Sequence, residues 1–112
     1  MDDCLFCKFV KGDIIVNPVY ESDSILAFPN NNPAADTHLL IIPKNHIGSL
    51  SDINEEHGKF LVEVYQVVQK LVVEKGLKEL GYKVIVNGGK SQHVPHLHFH
   101  LLGGEWKKGR QV

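Results

Sequence analysis

Three histidines at alternate positions in an apolar run, His96-Leu97-His98-Phe99-His100-Leu101-Leu102, constrain this chain more than any other stretch. Period-two alternation is the pattern of a strand, whose successive side chains leave opposite faces. The three imidazoles then share one face, roughly 6.7 Å apart, while Leu97, Phe99 and Leu101 point the other way into packing. Upstream lies Asn87-Gly88-Gly89-Lys90-Ser91-Gln92-His93-Val94-Pro95, rich in glycine and polar donors, and downstream Gly103-Gly104 closes the strand. A donor-rich loop feeding a row of imidazoles is a place to hold a phosphate. Two other readings stand beside it: a transition-metal site built on His-x-His, and a surface strand that merely carries titratable groups.

Taken in order, Asp3 to Val10 predicts a short helix broken by Gly12-Asp13. Val16 to Glu21 and Ile25 to Phe28 flank Ser22-Asp23-Ser24, a polar connection that fits a hairpin. Pro29-Asn30-Asn31-Asn32-Pro33 is a loop, and His38 to Ile42 is an apolar run ended by Pro43, the pattern of a buried strand. One long helix follows, capped by Asp52 or Asn54, with Phe60, Leu61, Val64, Val67, Val68, Leu71 and Val72 on one stripe. Its many valines are mediocre helix formers, so tertiary packing must hold it. Gly76 is its expected stop; Tyr82 to Val86 and His96 to Leu102 then read as neighbouring strands. Strands outnumber helices, so an antiparallel sheet with one face under the long helix is the economical α+β architecture.

At 112 residues the chain reads as one domain, 1–112. A net charge of −1 argues against stable binding to nucleic acid or to acidic membranes. No apolar run approaches a membrane span, and Met1-Asp2-Asp3 is a poor start for a signal peptide, so a cytoplasmic location is expected. Cys4 and Cys7, three apart, suit a metal or redox pair in such a compartment better than a structural staple.

The run His96-Leu-His98-Phe-His100-Leu-Leu resembles the motif of the histidine triad nucleotide-binding hydrolases. Cys4-Leu-Phe-Cys7-Lys8, Ala27-Phe28, Asn32-Pro33, Thr37-His38, Ile42-Pro43-Lys44 and His46-Ile47 follow that family's order, so the likeness runs from Cys4 to about Gly104. The resemblance implies a five-stranded antiparallel sheet with one long helix and a short N-terminal helix, and a homodimer paired through the long helix and a neighbouring strand. It also implies hydrolysis of purine nucleoside 5′-phosphoramidates or related adenylates through a nucleotidyl-histidine on His98. Dinucleoside polyphosphate hydrolysis and a nucleotide-binding or scaffolding module are the competing readings.

Several roles come with the resemblance. His96 and His100 would hold phosphate oxygens or pass protons, and His38 would orient one of them by hydrogen bonding. Asn87 and Gln92 would hold phosphate and leaving group. Phe6, Phe9 and Ile14 would line the base pocket, and Asn30, where the family usually carries aspartate, would lie beside the ribose. The loop before the triad is about two residues shorter than the commoner pattern. His93 stands in it where serine, threonine or glutamate is usual, and either acts as an acid or faces solvent. Some members hold structural zinc at positions that match Cys4, Cys7, His46 and His96; in that case His96 is a ligand and no free proton carrier. No organic cofactor is expected.

Overall fold

The computed structural model describes residues 3–110 and 112. Helix α1 (Leu5–Lys11) starts at Cys4, whose sulfur accepts the Cys7 N–H, and ends at Gly12, which at φ 82° adopts the left-handed cap that glycine favours. Strands β1 (Tyr20–Glu21) and β2 (Ile25–Pro29) form the hairpin, and β3 (Ala35–Pro43) follows. Helix α2 (Gly58–Glu74) and the one-turn α3 (Leu77–Leu80) precede β4 (Tyr82–Val86) and β5 (Phe99–Trp106). The strands make one open sheet in the order β1-β2-β3-β5-β4, every neighbour antiparallel. This is the expected α+β fold.

Alternation divides the sheet into two working faces. Ile25, Ala27, Leu39, Ile41, Leu97, Phe99 and Leu101 meet Val64, Val67, Val68, Leu71 and Val72 of α2. Each valine, leucine, isoleucine or phenylalanine among them, fully buried, contributes about 1.5–3 kcal/mol, which is how a valine-rich helix stays helical. The opposite face carries Leu26, Phe28, Leu40 and Ile42 against Cys4, Phe6 and Cys7 around α1. The histidines belong to this second side.

Several boundaries differ from the sequence reading. The first strand is confined to Tyr20–Glu21, because Pro18 lacks a donor and Ile15 stands 87% exposed with nothing to pair it. The last strand starts at Phe99 and not at His96, since the Leu97 N–H is taken by the Ile47 carbonyl at 2.7 Å. It also continues to Trp106. Gly103-Gly104 does not close it but accompanies a register shift opposite Ala35–Thr37. There Gly104 has φ 78°, and a Cβ would lie 2.8 Å from the Asp36 carboxylate that accepts the Glu105 N–H. Asp52 and Asn54 each close the box of a separate 3₁₀ turn ahead of α2, and neither caps the helix itself. Gly76, at φ 68°, does stop α2, but α3 follows at once.

Candidate active site

Strand β3 carries His38 and its neighbour β5 carries His100, and the pairing closes a separation of 62 positions to 2.8 Å, Nε2 to Nδ1. His38, His96, His98 and His100 are all buried, so a surface strand of titratable groups is excluded. Leu97, Phe99 and Leu101 face α2 while the imidazoles face α1, as the alternation requires.

Hydrogen bonds fix which nitrogen of each ring carries the proton. Ala34 N–H donates to His38 Nδ1 at 2.9 Å, so neutral His38 bears its hydrogen on Nε2 and donates it to His100 Nδ1. His100 must then be protonated on Nε2, which is buried and has no partner. A carbonyl can only accept, so His98 Nδ1–H donates to the His96 carbonyl at 2.7 Å and leaves Nε2 as a lone pair. By the same logic His96 Nε2–H donates to the Pro43 carbonyl at 2.9 Å, and its lone pair lies on Nδ1. Burial above all keeps these rings neutral: it lowers His38 to about 4 and His100 to about 3, and it lowers His96 and His98 as well.

Two adjoining cavities flank the row. One, of about 390 Å³, is walled by Phe6, Phe9, Ile14 and Phe28, with Asn30 at its edge. Phe6, Phe9 and Phe28 form a mutual aromatic cluster with centroids 5.2–5.8 Å apart. The other, of about 410 Å³, is lined by His38, His93, His98, His100, Asn30 and Arg110, and shares Leu5, Phe6, Asn30, Asn31 and Leu40 with the first. An apolar slot thus opens into a polar one, with Phe6 stacked edge-on against His98 at 5.1 Å.

Most residues singled out from the sequence meet here. His93 is exposed at the polar cavity, and Asn30 borders both cavities. The Asn30 Oδ1 accepts the Asn32 N–H at 2.9 Å; its Nδ2 lies 3.4 Å from His38 Nε2, two donors facing, and so makes contact without a bond. Asn87 and Gln92 line neither cavity. Gln92 Nε2 donates to the Gly48 carbonyl at 2.9 Å, which holds the loop down, and the Asn87 Nδ2 is buried without a partner. Sequence reasoning missed Arg110 and Asn32. The signal available was that Arg110 is the chain's single arginine.

His96 turns away to a different cluster. The donor atoms of Cys4, Cys7, His46 and His96 all lie within 4.8 Å of one another. Cys4 Sγ is 3.3 Å and Cys7 Sγ 3.6 Å from His96 Nδ1, and Cys7 Sγ is 3.2 Å from His46 Nδ1. Tetrahedral zinc with bonds of about 2.0–2.3 Å sets its ligands about 3.3–3.8 Å apart, so two thiols and two imidazoles here fit it in number and kind. The Pro43 carbonyl on His96 is the outer partner a metal-binding imidazole needs. Burial, then Cys4, pushes the Cys7 thiol up, a cost that a bound dication would reverse.

Comparison with known proteins agrees with this geometry. Residues 3–111 match the family described as "Scavenger mRNA decapping enzyme C-term binding". Protein HitA of Neisseria gonorrhoeae is 40% identical over 92% of this chain and 97% of its own length. The purine nucleoside phosphoramidase of Escherichia coli K12 is 36% identical over 92% of this chain and 88% of its own. A 14 kDa zinc-binding protein of Zea mays is 40% identical over 94% and 87%. Among solved structures, a HIT family hydrolase from Legionella pneumophila superposes with TM-score 0.87 at 42% identity, over 97% of this chain and 95% of that one. A histidine triad protein from Clostridium difficile gives 0.88 at 39%, over 99% and 98%.

Proposed function

The chain belongs to the histidine triad family of hydrolases, and from that premise we propose that it cleaves purine nucleoside 5′-phosphoramidates or related adenylates, with His98 as nucleophile. One observation carries the reading: the His98 Nδ1–H is tied to the His96 carbonyl, which leaves the Nε2 lone pair for the cavity that His98 lines. That lone pair attacks the α-phosphorus, and the bond from phosphorus to the departing nitrogen breaks as that nitrogen takes up a proton. Water then cleaves the nucleotidyl-histidine, releasing the nucleoside monophosphate and a proton. His100, whose buried Nε2–H lacks a partner, donates to an equatorial oxygen as charge builds there. His38 holds His100 in that tautomer.

In this reading the base lies in the slot of Phe6, Phe9 and Ile14, and Asn30 accepts from the ribose. Gln92 anchors the pre-triad loop through Gly48, and His93, exposed at the polar cavity, supplies the leaving group's proton. Cys4, Cys7, His46 and His96 hold a structural zinc, whose contribution is to clip α1 to the sheet. A homodimer through α2 and β4 is supported by Val62 and Tyr65, 59% and 53% exposed, and by the position of β4 at the sheet edge. Two buried thiols left free suit the cytoplasm, the compartment we propose.

The test is product release from adenosine 5′-phosphoramidate beside a dinucleoside polyphosphate. Faster release of adenosine monophosphate from the phosphoramidate is expected. Faster cleavage of the polyphosphate would reassign the leaving group, and absence of turnover on both would overturn the enzymatic reading.

A further inference from the structure

We propose that Arg110 is a ligand-binding residue of the histidine cavity, recognising the nucleotide's phosphate and giving the site its preference for charged over uncharged ligands. The inference rests on the nucleotide reading above and adds to it the group that senses charge.

Among the described residues lining this cavity, Arg110 is the only one with a permanently charged side chain; the other side chains are apolar, asparagines and histidines. His38 and His100 do not fill that need in the resting site. His38 accepts a hydrogen bond on Nδ1 and His100 accepts one on its own Nδ1, so neither ring is an imidazolium. A phosphate that gave up its water for neutral partners alone would bind at a cost. The guanidinium supplies the missing charge.

Arg110 is also held in place for this. Its Nη1–H donates to Asn32 Oδ1 at 2.6 Å and its Nη2–H to the Asn32 carbonyl at 3.0 Å. Of five N–H donors, two are thereby engaged and three remain for a ligand. Asn32 is itself fixed by its N–H to Asn30, the residue bordering both cavities. The tail that carries Arg110 docks by a backbone bond of its own, Lys107 N–H to the Ala34 carbonyl at 2.8 Å, and turns through Arg110 N–H to the Lys107 carbonyl at 3.1 Å. Removing the guanidinium therefore leaves the tail attached. A fixed planar fork of this kind suits a phosphate better than a flexible ammonium does.

The experiment is calorimetric titration of the whole protein with adenosine and with adenosine 5′-monophosphate, in wild type, Arg110→Gln and Arg110→Lys. Arg110→Gln should weaken the monophosphate about tenfold or more, the size of one charge-assisted hydrogen bond, and leave adenosine unchanged. Arg110→Lys should recover part of that loss. An unaltered ratio of the two affinities in Arg110→Gln would overturn the assignment; if both ligands weaken alike, the residue acts by packing the tail. Wild type that binds neither ligand would instead remove the nucleotide reading itself.

Discussion

His96 and His98 stand two residues apart on one face, yet they serve different halves of the molecule. His96 gives its Nε2–H to Pro43 and turns its Nδ1 lone pair to Cys4 and Cys7. His98, which lines the polar cavity, gives its Nδ1–H to the His96 carbonyl and keeps its lone pair on Nε2. The residue type is the same and so is the burial; what differs is which nitrogen a backbone carbonyl has claimed. The comparison teaches that in a buried row of imidazoles the main chain decides the chemistry, by choosing the atom that remains basic.

Changing one side chain in each half separates the two roles. His98→Ala should lower turnover at least ~1,000-fold, as loss of a nucleophile does, measured as monophosphate release. Since His98 is buried against Phe6, the truncation also leaves a hole, and His98→Asn serves as the better-packed control. Wild-type turnover in either variant would contradict the nucleophile. In the other half, metal analysis should find about one zinc per chain, and Cys4→Ser should lower both that content and stability, by about 3–4 kcal/mol. Turnover should fall only partly in that variant. Metal-free protein of full stability would return His96 to the phosphate side.

Acid sharpens the contrast. His38 and His100 are held at about 4 and about 3, below the ordinary 6.5, mainly because burial disfavours the charged ring. The unfolded chain therefore takes up protons below about pH 6.5 that the folded chain refuses. Stability from these two rings is complete above that pH and is lost as pH falls toward about 4. Between about pH 7 and pH 5 the loss is about 2 kcal/mol for each, read from denaturant unfolding of metal-free protein at the two pH values. Equal stability at both would mean the rings are not buried neutral. The smallest effect concerns the ribose. Asn30→Asp keeps the acceptor for the Asn32 N–H and adds a charge, so monophosphate binding should tighten by about 1 kcal/mol, less any repulsion from phosphate. Unchanged or weaker binding by calorimetry would count against Asn30 as a ribose contact.

Much of this architecture was legible in the residues. Tyr82 to Val86 forms a strand with the predicted bounds, and the stripe from Val64 to Val72 is the buried face of α2. These follow from local periodicity, which one stretch carries by itself. The division of labour along the triad was not legible in that way. It depends on the Pro43 and Ile47 carbonyls, whose positions relative to His96 and Leu97 are set by the loop after β3. No spacing encodes them. Arg110 was hidden for a similar reason: a cation that follows Lys107 and Lys108 in a polar tail is unremarkable until Lys107 docks on Ala34 and brings Arg110 to the cavity that His38 lines. Gly103-Gly104 misled because glycine marks both strand ends and bulges, and only the partner strand distinguishes them.

The strand order has a consequence for how the chain acquires activity. Strand β5, the last of the five to be synthesised, belongs between β3 and β4 in the middle of the sheet. Until it arrives, β4 has no partner strand, β3 is paired on one side only, and His38 lacks the residue 62 positions later that it binds. Contacts so distant along the chain form late and slow folding, to about milliseconds or longer for sheets of this kind. Completion of the sheet and assembly of the histidine pair are therefore one event. The histidine pair cannot form before β5 is in place.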